Sequence, residues 1–293
     1  MLKAVVGLLR SGGLEGVAGA AWRRLRPTRL AAFGELRASF QARVGLELGG
    51  PSPLFGPRGA IPVYPLAARI DNCNFAAHTV WEGAITAGDS FVFNPAVAPG
   101  RQFVGEAGSL EFISDAAYDF VLSSHCLEHL ANPLRGLAEW TRVLKDDGNL
   151  VLVVPHKDGT FDHRRPTTTL AHLVEDRDCG VDEGDLTHMD EILRLHDLAR
   201  DPGAGDARAF AERSRDNLRN RCLHHHVFDT RSTVGVVAHL GLQVLAVQAF
   251  RPFHIAVIAR KPAAGARVDN TRFTDPASAP AWRSPFPSDR GAR

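Results

Sequence analysis

Cysteine is scarce and shows no pairing pattern. Cys73, Cys126, Cys179 and Cys222 are the only four in 293 residues, and no two stand in a C-x-x-C spacing. A small disulfide-stapled scaffold is excluded, and free thiols in a reducing compartment fit the chain better. No apolar run approaches the roughly 18 residues needed to cross a bilayer. The opening stretch MLKAVVGLLRSGG has a lysine and an apolar patch, but Arg10 and Gly12–Gly13 end it too early for a secretory signal. A cytoplasmic location is the expectation. An excess of one charge is also missing overall, at a formal +1, yet the charge is unevenly spread. Residues 1–43 hold eight Lys/Arg against Glu15 and Glu35, and from Arg260 onward seven basic residues face Asp269, Asp275 and Asp289. The body of the chain, 44–259, is therefore acidic, which argues against a nucleic-acid groove.

What is present is a core large enough for a sizeable domain, with 44% hydrophobic residues. Apolar runs at 44–48, 60–66, 101–104, 118–124, 149–155, 242–250 and 254–259 read as strands. Several are continuously apolar, as strands covered on both faces should be. Between them lie helix patterns. In ANPLRGLAEWTRVLKDDG, Asn132 can cap, Pro133 suits the first turn, and Leu134, Leu137, Trp140, Val143 and Leu144 form one stripe ending near Gly148. Strands alternating with helices predict an α/β fold: a doubly wound, mostly parallel seven-stranded sheet. The last strand should be antiparallel, because only Arg251, Pro252 and Phe253 separate it from its predecessor.

The expected domain plan has four parts. Residues 1–43 form an N-terminal helical segment, with helices near 2–10 and 14–40. It is either packed with a solvated basic face or suited to a weak contact with an anionic membrane surface. Residues 44–261 form the sheet domain, in which 157–226 is a long helical insert placed to serve as a lid or substrate subdomain. Residues 262–293, with five prolines and no periodicity, are expected to lack order.

Ligands of open α/β sheets sit at the carboxyl ends of the strands. Those ends carry Glu47-Leu-Gly-Gly, Asp71, Glu106-Ala107 and Ser123-Ser124-His125. With the stretch YDFVLSSHCLEHLANPLRGLAEWTRVLKDDGNLVLVVP, the sequence resembles class I S-adenosylmethionine-dependent methyltransferases of the small-molecule, type 11-like kind, over roughly residues 43–156. That family places an acid and G-x-G-x-G after the first strand. Here Glu47 supplies the acid and Gly49 falls on a glycine, while Pro51 and Pro53 occupy the other two positions. Prolines have no N–H to give a phosphate, and S-adenosylmethionine has none to bind.

The resemblance implies S-adenosyl-L-methionine as cofactor, held by Glu47, Gly49, Gly50, Ser52, Asp71, Glu106, Ala107, Ser123, Ser124 and His125. Asp71 would accept from the ribose hydroxyls, Glu106 and Ala107 would flank the adenine, and Ser123, Ser124 and His125 would line the sulfonium side. The acceptor would be a small molecule or glycan, methylated on oxygen or nitrogen. For a hydroxyl, a histidine near neutral pKa suits proton removal, and VVPHKDGTFDHRRPTTT at the fifth strand's end offers His156, Asp162 and His163, with Arg164 and Arg165 to anchor an anion. His224-His225-His226 could join them, although neighbouring side chains on a strand diverge, so at most His224 and His226 would share a ligand. No metal set is expected. A degenerate cofactor-binding protein without turnover and a histidine-based metal enzyme remain the alternatives.

Overall fold

The computed structural model describes residues 29–275, 277 and 281–291. The helix expected at 2–10 and most of the one expected at 14–40 lie outside these residues. What is described of the second is a single α-turn, Phe33–Leu36, followed by a 3-10 turn, Arg37–Ser39.

Eight strands form one sheet: β1 (Val44–Leu48), β2 (Arg69–Asn74), β3 (Gly88–Phe91), β4 (Gly100–Val104), β5 (Tyr118–Ser124), β6 (Leu144–Pro155), β7 (Gln243–Phe250) and β8 (His254–Arg260). Their spatial order is β3-β4-β2-β1-β5-β6-β8-β7. The five central strands are parallel, while β8 runs antiparallel to both β6 and β7. The expected seven strands thus gain one short antiparallel edge, β3. The order reverses direction at β1, so the crevice for a ligand opens beyond the carboxyl ends of β1, β2, β4 and β5.

Continuous apolar runs are explained by burial on both faces. Leu150, Leu152 and Val154 of β6 join one core cluster, and Val151 and Val153 join the other. Helix α1 (Pro133–Val143) lays Leu134, Leu137, Trp140 and Val143 on the first face, and its cap Asn132 accepts from the Arg135 N–H at 3.1 Å. The helix stops at Val143, before Gly148. That glycine is needed for another reason: a Cβ there would lie 2.8 Å from the Lys145 carbonyl oxygen and 3.0 Å from that of Asp119. On the opposite face there is no full helix between β1 and β2. Phe55, Ile61, Val63, Tyr64 and Leu66 fill the core from consecutive turns.

That crossover corrects the strand expected at 60–66. Its apolar residues are buried, but Pro62 and Pro65 deny the ladder two N–H donors, and the second strand begins only at Arg69. Asp71 consequently sits in the middle of β2, opposite Leu46, rather than beyond its end.

The insert carries α2 (Leu170–Asp178), whose Leu173 joins the main core, and α3 (Met189–Leu195) and α4 (Ala207–Arg215), which pack around a small core of Ile192, Ala204, Phe210 and Leu223. Helix α5 (Thr230–His239) then returns the chain to the sheet through a capping box at Asp229 and Ser232. The tail expected to lack order is packed where it is described. Phe273 enters the main core, Phe286 is 2% exposed, and Asp289 Oδ2 accepts from Thr230 Oγ1 at 2.6 Å. Two buried rings and one carboxylate anchor a segment whose composition alone reads as loose. No helix among the described residues is long and apolar enough to cross a membrane.

Candidate functional site

A cavity of about 540 Å³ opens at the strand ends, bounded by Gly49, Asn74, Glu106, Ser124 and His125 on the sheet side. Its other wall comes from the insert, through Thr160, Phe161, Arg213, Arg221, Cys222 and His224, and from Trp81 of a short ribbon (His78–Thr79 paired with Gly83–Ala84).

The loop after β1 is built from side-chain hydrogen bonds rather than free backbone donors. Glu47 is fully buried and its Oε1 accepts from the Ser52 N–H at 2.9 Å, while the Tyr64 hydroxyl donates to Oε2 at 2.7 Å. Burial pushes its carboxyl up to about 8, against the lowering effect of both bonds. Asn72 clamps Gly50 from both sides, accepting from its N–H at 3.1 Å and donating to its carbonyl at 3.2 Å. A Cβ at Gly50 would fall inside the Glu47 carboxyl group, so this glycine is required by its neighbour's burial. Gly49, Ser52 and Ser124 line the cavity, and Ser52 and Ser124 join through their hydroxyls at 3.1 Å. Glu47 and Gly50 do not line it; they hold the loop from behind. Ser123 is fully buried and faces the core, not the cavity.

Asp71 does not reach the cavity either. Its carboxylate is used up by Arg69 at 2.7 and 2.9 Å, the Tyr118 hydroxyl at 2.9 Å and the Arg101 N–H at 2.8 Å. The polar side chain that does stand at the end of β2 is Asn74, followed by Phe75. Glu106 and Ala107 line the cavity. Arg221 of the insert donates to Glu106 Oε1 at 2.5 Å, joining the insert to the end of β4.

The expected proton-handling residues separate. His156 is fully buried, stacked on Phe286 with ring centroids 4.1 Å apart and 3.2 Å from Asp289. It belongs to the tail contact. His163 pairs with Asp197 at 2.9 Å, away from the cavity. Arg164 also meets Asp197, and Arg165 is buried between Asp162 and Glu191, so neither arginine faces the cavity. Asp162 is different. Buried itself, it accepts from His224 Nδ1 at 2.6 Å and from Arg165 at 3.1 Å, and His224 lines the cavity. Burial raises the Asp162 carboxyl, but the neighbouring His224 and Arg165 charges outweigh it and bring it to about 2. Burial works against a charged His224, yet Asp162 and then Glu128 outweigh it and hold the ring above the ordinary histidine value.

Around this pair, His129 packs edge-on against His224, with centroids 4.7 Å apart, and Phe161 lies equally close. Burial, reinforced by the His224 charge, pushes His129 down to about 4. Glu128, His129 and His224 offer ligand atoms within 4.8 Å of one another, so these three could also hold a cation. His225 and His226 turn elsewhere: His225 Nε2 meets Asn217 at 3.0 Å, and His226 Nε2 donates to the Ala131 carbonyl at 3.0 Å. His224 and His226 therefore do not share a ligand in the cavity. The sequence pattern missed Asn74, Trp81, Arg221 and the assignment of His224; the only signal was the histidine triplet itself.

Residues 62–152 match the family described as methyltransferase domain. No curated protein matches the chain. Solved structures similar to it include a SAM-dependent methyltransferase from Aquifex aeolicus, at 12% identity, a TM-score of 0.41 and coverage of 78% of this chain and 89% of that one. Another, from Methanosarcina mazei, has 18% identity, a TM-score of 0.42 and coverage of 76% and 93%. The 1,6-didemethyltoxoflavin-N1-methyltransferase of Burkholderia thailandensis, with bound 1,6-didemethyltoxoflavin and S-adenosylhomocysteine, has 14% identity, a TM-score of 0.44 and coverage of 89% and 90%.

Proposed function

We propose that this chain, whose residues 62–152 match a methyltransferase domain, is an S-adenosylmethionine-dependent enzyme that methylates an oxygen or nitrogen of a small-molecule or glycan acceptor, with His224 removing the acceptor's proton. The observation that carries this reading is the 2.6 Å contact of Asp162 with His224 Nδ1, on a ring that opens on the strand-end cavity. A carboxylate on Nδ1 fixes the tautomer and leaves Nε2 as the basic nitrogen, a pairing that suits general-base work.

The cavity residues fit this cofactor. Pro51 and Pro53 offer no N–H, and that of Gly50 is already taken by Asn72, so the loop suits a ligand without phosphate. When bound, S-adenosylmethionine supplies an electrophilic methyl on a sulfonium sulfur. Asn74 and Glu106 stand at the strand ends where ribose and adenine would be held. Glu128, 1% exposed, lines the same cavity; burial opposes its charge, but the His125 hydrogen bond and nearby histidines keep its carboxyl below the ordinary value. A negative group there complements a sulfonium cation. The insert closes over this space through the Arg221–Glu106 pair and Phe161, excluding water and selecting the acceptor.

Calorimetry with S-adenosylhomocysteine tests the cofactor half, with binding expected in the micromolar range, about −8 kcal/mol. His224→Asn should keep that affinity within a few-fold and lower methyl transfer by roughly 10²–10⁴. The absence of both heat and thermal stabilisation at millimolar ligand would overturn the reading.

A further inference from the structure

A second cluster of ligating side chains lies outside the cavity. His172 and Asp176 stand one turn apart on α2 and so share a face. His188 precedes α3, and His226 comes from the segment leading into α5. Each of the four offers a nitrogen or carboxylate oxygen, and these atoms all lie within 4.8 Å of one another. His172 Nε2 is 3.1 Å from His188 Nε2 and 3.4 Å from Asp176 Oδ2. Ligands at about 2.0–2.1 Å around a tetrahedral zinc ion are separated by roughly 3.3 Å, so these spacings need little contraction.

Two buried atoms here, Asp176 Oδ2 and His226 Nδ1, lack a hydrogen-bond partner, although Asp176 Oδ2 lies at ion-pair distance from His172. Leaving such groups unsatisfied costs about 1–3 kcal/mol each, so their retention needs an explanation. His226 is 1% exposed, and its Nε2 donates to the Ala131 carbonyl. That bond leaves Nδ1 unprotonated, the state a metal-bound imidazole takes when its other nitrogen donates to a carbonyl. We propose that His172, Asp176, His188 and His226 form a closed structural site for a divalent transition metal, zinc by its donor set. Three imidazoles and one carboxylate suit zinc, whereas magnesium and calcium favour oxygen ligands throughout.

None of the four lines the cavity. With four protein ligands the ion has no open position for chemistry, so its role is to hold the fold. It ties α2 and the start of α3 to the segment carrying His224, two residues before His226, and through Ala131 to the start of α1. The ion thereby fixes the wall that presents His224.

The test uses the full chain without an affinity tag of histidines, purified from zinc-supplemented cells. Elemental analysis should find about one zinc per chain. Asp176→Asn and His188→Gln should each lower zinc affinity at least tenfold, while His224→Asn in the cavity leaves it unchanged. Wild-type protein stripped by chelator should lose thermal stability and, with cobalt, show the visible absorption of a tetrahedral centre. If one substitution prevents folding, the other and the cobalt spectrum decide. The proposal is overturned if supplemented protein holds no zinc and stripped protein gives no tetrahedral cobalt spectrum. It is equally overturned if zinc survives Asp176→Asn but is lost in His224→Asn, which would place the ion at Glu128, His129 and His224. The readout needs neither cofactor nor acceptor, so it stands or falls apart from the methyl-transfer reading.

Discussion

Asparagine in place of Asp162 keeps the side chain's size and removes its charge. In the native pair the carboxylate accepts from His224 Nδ1 at 2.6 Å and from Arg165 Nη1 at 3.1 Å. An asparagine that keeps its oxygen toward Arg165 turns its NH₂ toward His224, which favours the other tautomer, with the proton on Nε2. That nitrogen can then no longer take a proton, and methyl transfer should fall by roughly 10²–10⁴ while S-adenosylhomocysteine affinity changes only a few-fold. The stability cost is moderate. Arg165 is 1% exposed, but it keeps Glu191 at 2.8 Å and the carbonyls of His224 and His225 at 2.8 and 3.1 Å. About 1–3 kcal/mol is expected, below the roughly 3–5 kcal/mol of a buried charge left alone.

The pH dependence follows from the two directions of shift. His224 is held above its ordinary value, so its contribution to stability is present below about pH 6.5 and lost as pH rises through the raised value. Asp162 is depressed to about 2, so its share is present above about pH 3.9 and lost as pH falls through about 2. The stability gap between wild type and variant should therefore be widest between roughly pH 4 and 6.5 and narrower at pH 8. Urea unfolding across pH measures the gap, and NMR titration of the His224 ring should show its pKa falling in the variant. A pH-independent gap together with an unchanged transfer rate would refute the assignment.

Asp71→Ala should cost about 1–3 kcal/mol in urea unfolding, because Arg69 and Tyr118 lose their acceptor. S-adenosylhomocysteine affinity should stay within a few-fold, and a tenfold loss would put Asp71 back in the site. Gly50→Ala forces a methyl group against the Glu47 carboxyl and should cost about 1–3 kcal/mol by overpacking, with weaker cofactor binding in calorimetry. Phe286→Ala removes a ring stacked on buried His156 and should destabilise by about 3–5 kcal/mol. If ending the chain at residue 270 leaves the melting temperature unchanged, the tail contacts described here carry no weight.

The sheet was legible where burial writes itself into the chain. Residues 120–122 and 150–155 are apolar without interruption because both faces of β5 and β6 are covered. The same signal misled at 60–66. Ile61, Val63, Tyr64 and Leu66 are apolar because they fill the core from turns, and hydrophobicity reports burial rather than backbone conformation. That misreading also moved Asp71. With the second strand placed too early, the acid seemed to follow its end, whereas it lies inside β2 and serves Arg69 and Tyr118.

The histidine triplet shows why the rest of the site was not legible. Alternation along an extended chain says that neighbours diverge, and they do, but it cannot say toward what. His224 meets Asp162, a residue 62 positions earlier, and lines the cavity. His225 meets Asn217, and His226 donates to Ala131, 95 positions away. Each partner is brought in by a different element: the turn after β6, the start of the insert's last helical turn (Asn217–Asn220), and the residue just before α1's cap. Three identical side chains in a row thus acquire three environments. Burial lowers His225 to about 4 and His226 to about 3, while Asp162 keeps His224 above its ordinary value despite burial. Of the three, only the residue with a carboxylate behind it has its charged form favoured rather than suppressed. That selection is made by long-range packing, which no local spacing in the sequence encodes.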